Sequence, residues 1–335
     1  MKPVEVDIIL PFYRNGQTLD AAISSLIRQT YTHFKLILVA NNADIESLAI
    51  AQKWSKQEQQ RVQLIEEPRQ GVAHAFNSGM LEGTNPLIAR MDGDDIVEPT
   101  KLEKQVNYLS EHPEIAAVAT QTTFSSSIKA SEGFRHFVEW QNKIISPEEH
   151  FNSRFYESPV ANPTILFRRN LIDKYGLTDT TDIPEDYEIY LRWMSHGEKI
   201  AKIAEPLLTW NDHPGRLTRT HQNYSEEAFQ AVRYRYLAKY LNTVAQNREI
   251  VICGASRNIL SKAKRLEAEG IRITAHTDVI DRKPEGITFI PLSKALKNKH
   301  FYFVSLIAKR HVHLEIKALF LSKGLKEGED FILAG

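Results

Sequence analysis

Four consecutive positions at the end of an apolar run, Asp92-Gly93-Asp94-Asp95 in IARMDGDD, carry three carboxylates. Like charges this close repel, and a buried carboxylate is costly unless cations or hydrogen-bond donors stand against it. The run before them, NPLIARM, reads as a strand. It would present the acids at the C-terminal edge of a parallel sheet, where ligands bind in open α/β folds. Hard divalent cations such as Mg²⁺ or Mn²⁺ prefer carboxylate oxygens and would offset the repulsion, and such an ion usually also holds a diphosphate. The competing reading is an acidic loop that caps the following helix.

The elements that must position these acids alternate along the chain. VDIILPF, FKLILVA, VQLIEE, NPLIARM and IAAVATQTTF read as strands. They are separated by helical patterns: Leu19, Ala22, Ile23, Leu26 and Ile27 on one face, then residues 46–60, GVAHAFNSGMLEG closed by Gly83, and residues 99–112 with Pro99 at the start. This βαβα order predicts an α/β fold, a mostly parallel sheet with helices on both faces. Residues 125–160 are less regular. TILFRR then reads as a strand, PEDYEIYLRWMSHG as a helix with Pro184 and two acids at its start and Gly197 past its end, and KIAKIAE and PLLTWND as two further strands. A long helix covers 223–243. From about residue 247 a second series begins with REIVICGAS, a helix to about 269, IRITAHTD, ITFIP, HFYFVSL and a helix at 309–323. The expected boundary lies at 244–248, with residues 1–245 as the first domain, helix 223–243 its C-terminal extension, and 246–335 as a small Rossmann-like domain.

Bulk properties exclude several classes. The 42 basic residues balance the 42 acids, so no net field attracts nucleic acid or an anionic membrane. The single cysteine, Cys253, cannot form an intramolecular disulfide, which fits a reducing compartment. The N-terminal apolar run is short for a signal peptide, and no apolar run of about 18 residues exists. The expected location is cytoplasmic, with any membrane contact peripheral at the inner face.

Five blocks in order carry a resemblance. VDIILPFYRNGQTLDAAISSLIRQTYTHFKLILVANN, GVAHAFNSGM, ARMDGDDIVEPTKLEKQ, NPTILFRRNLIDKYG followed by PEDYEIYLRW, and HPGRLTR together resemble the family 2 glycosyltransferases over roughly residues 4–222. The resemblance implies the GT-A nucleotide-sugar-binding fold. It implies Asp94 as main metal ligand and Asp92 as a contact to the nucleotide or a metal-bound water, with Asp95 orienting the loop or touching the sugar. His213 would complete the metal shell or hold a phosphate. Asp186 would be the general base that takes the acceptor's proton in an inverting displacement, with Glu185 as the alternative; both acids also suit a helix N-terminus. Arg216 and Arg219 read as solvated surface arginines, with pairing to a diphosphate as the alternative. Pro11, Tyr13 and Asn41 stand where the nucleotide base should lie.

Two positions depart from the family pattern. NNAD, residues 41–44, stands where DDGS is usual, so Asn41 would have to meet uracil through its amide. Phe76 stands where an arginine often precedes the residue matched by Asn77, and Arg69 is the candidate replacement cation.

VICGASRN resembles the start of a dinucleotide-binding unit, but Ser256 and Ile259 stand where its second and third glycines belong. Asp278 has no glycine loop to work with, and no bound NAD is expected. The expected function is an inverting, metal-dependent, hexosyltransferase-like enzyme. It would move a sugar from a nucleotide-sugar donor, UDP-linked first, to a glycan or lipid-linked saccharide acceptor in bacterial surface-polysaccharide synthesis. The protein could form a homo-oligomer. A catalytically silent sugar-nucleotide-binding scaffold is the alternative, followed by an NAD-dependent oxidoreductase using the second domain.

Overall fold

A computed structural model describes residues 3–128, 131–280 and 286–335. The chain divides into two compact units, 1–150 with 159–228, and 151–158 with 229–335. The helix Glu226–Val244, expected as an extension of the first domain, falls from Phe229 onward in the second unit, together with residues 151–158. Among the described residues no helix is long and apolar enough to cross a membrane.

The first unit holds strands β1 (Val6–Phe12), β2 (Phe34–Ala40), β3 (Val62–Glu66), β4 (Leu87–Arg90), β5 (Ile96–Val97), β6 (Ala117–Ser126), β7 (Leu166–Arg168) and β8 (Ile200–Asp212). They form one sheet in the order β3-β2-β1-β4-β7-β6-β8-β5. The first four strands pair in parallel, β7 runs antiparallel to β4 and β6, and β6 pairs in parallel with β8. The continuous apolar character of β1 and β2 follows from burial on both faces. On one face Ile8, Leu10, Leu36 and Leu38 pack with Ala22, Ile23, Leu26, Val106 and Leu109. Each fully buried side chain of this kind contributes about 1.5–3 kcal/mol over leaving it in water.

One polar residue interrupts β1. Asp7 is fully buried. Its carboxylate accepts from Arg169 Nη2 at 2.6 Å and from the Asn85 backbone and side-chain N–H groups at 2.8 Å each. Arg169 also donates to the carbonyls of Asn85 and Met80. Gly83 closes the helix Val72–Glu82 as expected, but in an extended conformation rather than a left-handed cap. A Cβ there would fall 2.3 Å from Asp7 Oδ2. The glycine is required by close approach to this ion pair.

KIAKIAE and PLLTWND are one strand, not two. The register against β6 shifts around Gln121, opposite Pro206, so a bulge carries the exposed residues 204–206 past the edge without ending the pairing. The irregular stretch contains the helices Glu132–Gln141 and Pro147–Ser153; residues 129–130 of it lie outside the described residues.

The second unit has a parallel sheet of β9 (Glu249–Cys253), β10 (Ile273–Thr277), β11 (Phe301–Ser305) and β12 (Phe331–Leu333) in the order β10-β9-β11-β12. ITFIP forms only an isolated bridge, His276 to Phe289. Three residues long, β12 was below the reach of periodicity. Gly254 takes a φ of +103°, and Ile259 lies 3.1 Å from where its Cβ would be. Asp278 accepts from the Ala255 N–H at 3.2 Å.

A buried amide fixes the approach to the helix Glu185–Ser195. Asn77 donates to Thr178 O at 2.9 Å and accepts from Thr178 N at 3.0 Å and Thr178 Oγ1 at 2.6 Å. Loss of one partner leaves the other polar groups buried and unsatisfied. Asn77→Ala should therefore destabilise the protein by about 2–3 kcal/mol in urea unfolding. A change under about 0.5 kcal/mol would show that water replaces the clamp.

Candidate active site

The three aspartates follow β4 directly. They offer carboxylate oxygens that all lie within 4.8 Å of one another. Protein cations already stand against them. Arg216 is buried and reaches all three: Nη1 to Asp95 Oδ1 at 3.0 Å and Asp94 Oδ2 at 3.4 Å, Nη2 to Asp95 Oδ2 at 3.1 Å and Asp92 Oδ2 at 3.7 Å. Burial opposes its charge, yet the three acids raise its pKa further. The reading of Arg216 as a solvated arginine is thus corrected. Arg219 is likewise engaged, through Nε and Nη2 on Asp212 at 2.7 and 2.6 Å, and with Ser131 and Ser126 it holds that carboxyl down to about 2. Surface exposure cannot be judged from a loop sequence when its arginines fold back onto buried acids.

Each aspartate has a distinct environment. Asp95 is fully buried, with both oxygens on Arg216 and one also accepting from Asn211 N at 2.9 Å. It ties the β4 loop to the end of β8. Asp94 Oδ2 lies 2.8 Å from His213 Nε2. Burial would raise Asp94, but His213 and Arg216 outweigh it and hold its carboxyl below the usual range, while His213 is raised in turn. Asp92 keeps a quarter of its side chain exposed and accepts through Oδ1 from Arg90 Nε and Nη2 at 3.0 and 2.9 Å. Against the three carboxylates stand two guanidiniums and the His213 imidazole, and burial with the neighbouring acids pushes Asp95 up to about 7. The carboxylate oxygens of Asp92, Asp94 and Asp95 are a donor set of the kind Mg²⁺ or Mn²⁺ takes, with His213 beside Asp94. Asp95, committed to Arg216, is the least suited of the three.

Glu185 and Asp186 open the helix Glu185–Ser195. Glu185 is buried and accepts from Tyr224 Oη at 2.7 Å. Asp186 is half-buried and accepts from Tyr187 N at 2.7 Å. Burial and the neighbouring Glu185 push Asp186 up to about 7. Burial also raises Glu185, against the pull of Tyr224 and Arg90. A small hollow lined by Asn162, Thr178, Glu185, Asp186 and Tyr190 adjoins this helix start. The sequence singles out neither Arg90 nor Tyr224, and gives Arg216 only as an alternative partner of a diphosphate. Arg90 had a signal, since a charged residue inside a buried central strand requires a partner.

At the other end of the edge, Pro11 is buried in β1 beside Val39 of β2. Tyr13 is exposed, with the Arg14 guanidinium 4.9 Å from its ring centre. Asn41 is buried, and its amide is already engaged: Nδ2 donates to Glu67 O at 2.8 Å and Arg69 O at 2.7 Å, and Oδ1 accepts from Gly71 N at 2.9 Å. It staples the loop before the helix Val72–Glu82, so its N–H donors are not open to a nucleobase. The Arg69 side chain is exposed and pairs with buried Glu67 at 2.7 Å, which holds that carboxyl down to about 2. The cation beside Phe76 is Arg90, 4.7 Å over its ring, rather than Arg69.

The sequence matches the family Glycosyl transferase family 2 over residues 7–176, half of the chain. The O-antigen biosynthesis glycosyltransferase WbnJ of Escherichia coli is 26% identical over 232 residues, which span 68% of this chain and 87% of that protein. Among solved structures, S. aureus TarS 1–349 in complex with UDP-GlcNAc is similar with a TM-score of 0.53 at 13% identity, covering 72% of this chain and 74% of that one. The mannosyltransferase PcManGT from Pyrobaculum calidifontis in complex with GDP-Man and Mn²⁺ is similar with a TM-score of 0.50 at 16% identity, covering 80% and 70%. At such identities the likeness shows the fold, which is the GT-A arrangement expected from the sequence. The family match, spanning half the chain, shows what that fold serves here: the protein belongs to glycosyl transferase family 2 and is a glycosyltransferase.

Proposed function

We propose that the enzyme moves a sugar from a nucleotide-diphosphate donor, a UDP-sugar first, to a hydroxyl of a glycan or lipid-linked saccharide, with inversion and with Mg²⁺ or Mn²⁺ bound. The observation that carries this reading is the convergence of Asp92, Asp94 and Asp95 at the carboxyl edge of the sheet, with His213 against Asp94. A relative named for O-antigen biosynthesis supports a role in polysaccharide assembly. A TarS structure holding UDP-GlcNAc and a mannosyltransferase structure holding GDP-Man with Mn²⁺ support the donor class and the metal.

Asp94, Asp92 and His213 would hold the ion. When bound, it supplies positive charge against the leaving diphosphate. Tyr13 and Arg69, exposed near the ends of β1 and β3, are the side chains open to the nucleotide. Asp186 removes the acceptor hydroxyl's proton as that oxygen attacks the anomeric carbon. A base with a pKa near the working pH combines a useful ionised fraction with real proton affinity, and burial brings Asp186 into that range. Glu185, held by Tyr224, shapes the field around it.

Thermal unfolding against UDP-, GDP-, dTDP- and CMP-compounds with and without Mn²⁺ should reveal metal-dependent stabilisation by one nucleotide class. Asp94→Ala should abolish the metal-dependent part; if it binds Mn²⁺ and nucleotide like wild type, the metal assignment fails. Asp186→Asn should preserve that stabilisation while lowering turnover at least about 10²-fold. The base works deprotonated, so turnover should climb with pH through about 7 in a single-proton step. The stability effect has the opposite sign. A carboxyl whose pKa is raised by folding stabilises most below its unfolded value and loses that contribution as pH rises through about 7. Asp186→Asn should thus be more stable than wild type at pH 8, by on the order of 1 kcal/mol. Equal melting temperatures at pH 8 would contradict the raised pKa.

A further inference from the structure

Arg90 occupies a place that neither the metal set nor the base assignment explains. It is the last residue of β4, and its side chain is buried to 3% exposure. Phe76 carries the guanidinium on its ring face. Nε and Nη2 both donate to Asp92 Oδ1. Phe76 in turn lines the hollow that also holds Glu185 and Asp186, the two acids that open the helix Glu185–Ser195, and the Arg90 charge favours the ionised form of both. Nη1 is buried and has no hydrogen-bond partner among the described residues.

These contacts are more than a fold needs. A guanidinium buried for stability alone would have its five donors satisfied, because an unpaired buried donor is unfavourable. This one leaves Nη1 unused in a side chain that holds Asp92 and stacks on a wall of the hollow beside Asp186. In a single displacement, leaving group and attacking oxygen lie on opposite sides of the anomeric carbon, so the sugar must bridge the same gap that Arg90 spans.

We propose that Arg90 is the positioning residue that joins Asp92 to the Glu185–Asp186 pair and sets the distance across which the sugar is transferred. This rests on the reading of Asp186 as base. Its planar fork, rather than its charge alone, does the work: two nitrogens hold Asp92 Oδ1 while the plane stacks on Phe76. A lysine keeps the charge and loses both the fork and the stacking. Other groups that act on or lie beside Asp186 among the described residues include Glu185, Tyr187, Tyr190, Tyr224 and Asp92. Arg90 is a cation that acts on Asp186.

The test measures turnover and KM for UDP-N-acetylglucosamine, UDP-glucose and GDP-mannose with Mn²⁺ in wild type, Arg90→Lys, Arg90→Gln and Asp186→Asn, together with thermal unfolding. Arg90→Lys should melt within a few degrees of wild type, keep donor KM within about threefold and lose at least about tenfold in kcat. Arg90→Gln should lose more. Wild-type kcat in Arg90→Lys, or an effect confined to donor KM, would overturn the inference. An Arg90→Lys protein that does not fold would assign the residue to the fold alone and overturn it too. Should Asp186→Asn keep wild-type turnover, the base assignment fails by itself, whatever the Arg90 variants show.

Discussion

Three carboxylates whose oxygens lie within 4.8 Å of one another can be held at the edge of a sheet only if positive charge is brought to them. Here most of that charge comes from the chain. Arg216 arrives from the loop after β8 and touches all three acids. Arg90 arrives from β4 and takes Asp92. Two guanidiniums and the His213 imidazole against three carboxylates keep the cluster formed. The neutralisation is also unequal. Asp95 is bound on both oxygens, whereas Asp92 stays partly exposed and Asp94 is hydrogen-bonded to His213. One acid therefore serves the architecture, and the other two remain available for ligands.

The sheet order explains how residues so far apart in sequence meet. With β4 beside β1 and β7, and β8 two strands further on, the ends of β4 and β8 lie on the same side of the sheet. The short antiparallel pair β5–β8 fastens the DGDD loop to the β8 end through Ile96 and Thr209. Further fasteners act at long range: Asp7 with Arg169 pins β1 near the end of β7, and Asn77 with Thr178 pins the path to the helix that carries Asp186. Each is a buried polar contact whose partners are unsatisfied if one is lost, so each specifies geometry more than it adds net stability.

The burial that would suit Asp186 to the proposed role of base makes it unfavourable to the fold. Its ionised form is penalised by desolvation and by Glu185. The helix N-terminus, the Tyr187 N–H and Arg90 offset part of this. A site that holds a carboxylate near neutrality has to keep water away from it, and the buried aromatic residues Tyr187, Tyr190 and Trp193 do so.

Much of this was legible in the residues themselves. Period and apolar content located β1, β2, β3 and the helix Glu185–Ser195, because a doubly buried strand and an amphipathic helix leave local signatures. The aspartates announced a ligand edge, because their repulsion is a local fact. The strand break at Pro206 was misread, since a bulge depends on what β6 does opposite it. Asn41 looked like a base reader, and Arg216 and Arg219 looked solvated, because a side chain's partner across tens or hundreds of residues leaves no mark on its own sequence. Sequence alone determined which chemical groups the protein owns and the strand ends on which they lie. Only the tertiary structure decided how they are divided: which acids are neutralised by arginines, which amide is consumed by a loop, and which carboxyl burial has brought to a pKa near neutral. That division depends on distance and desolvation, and both are set by packing between segments rather than within them.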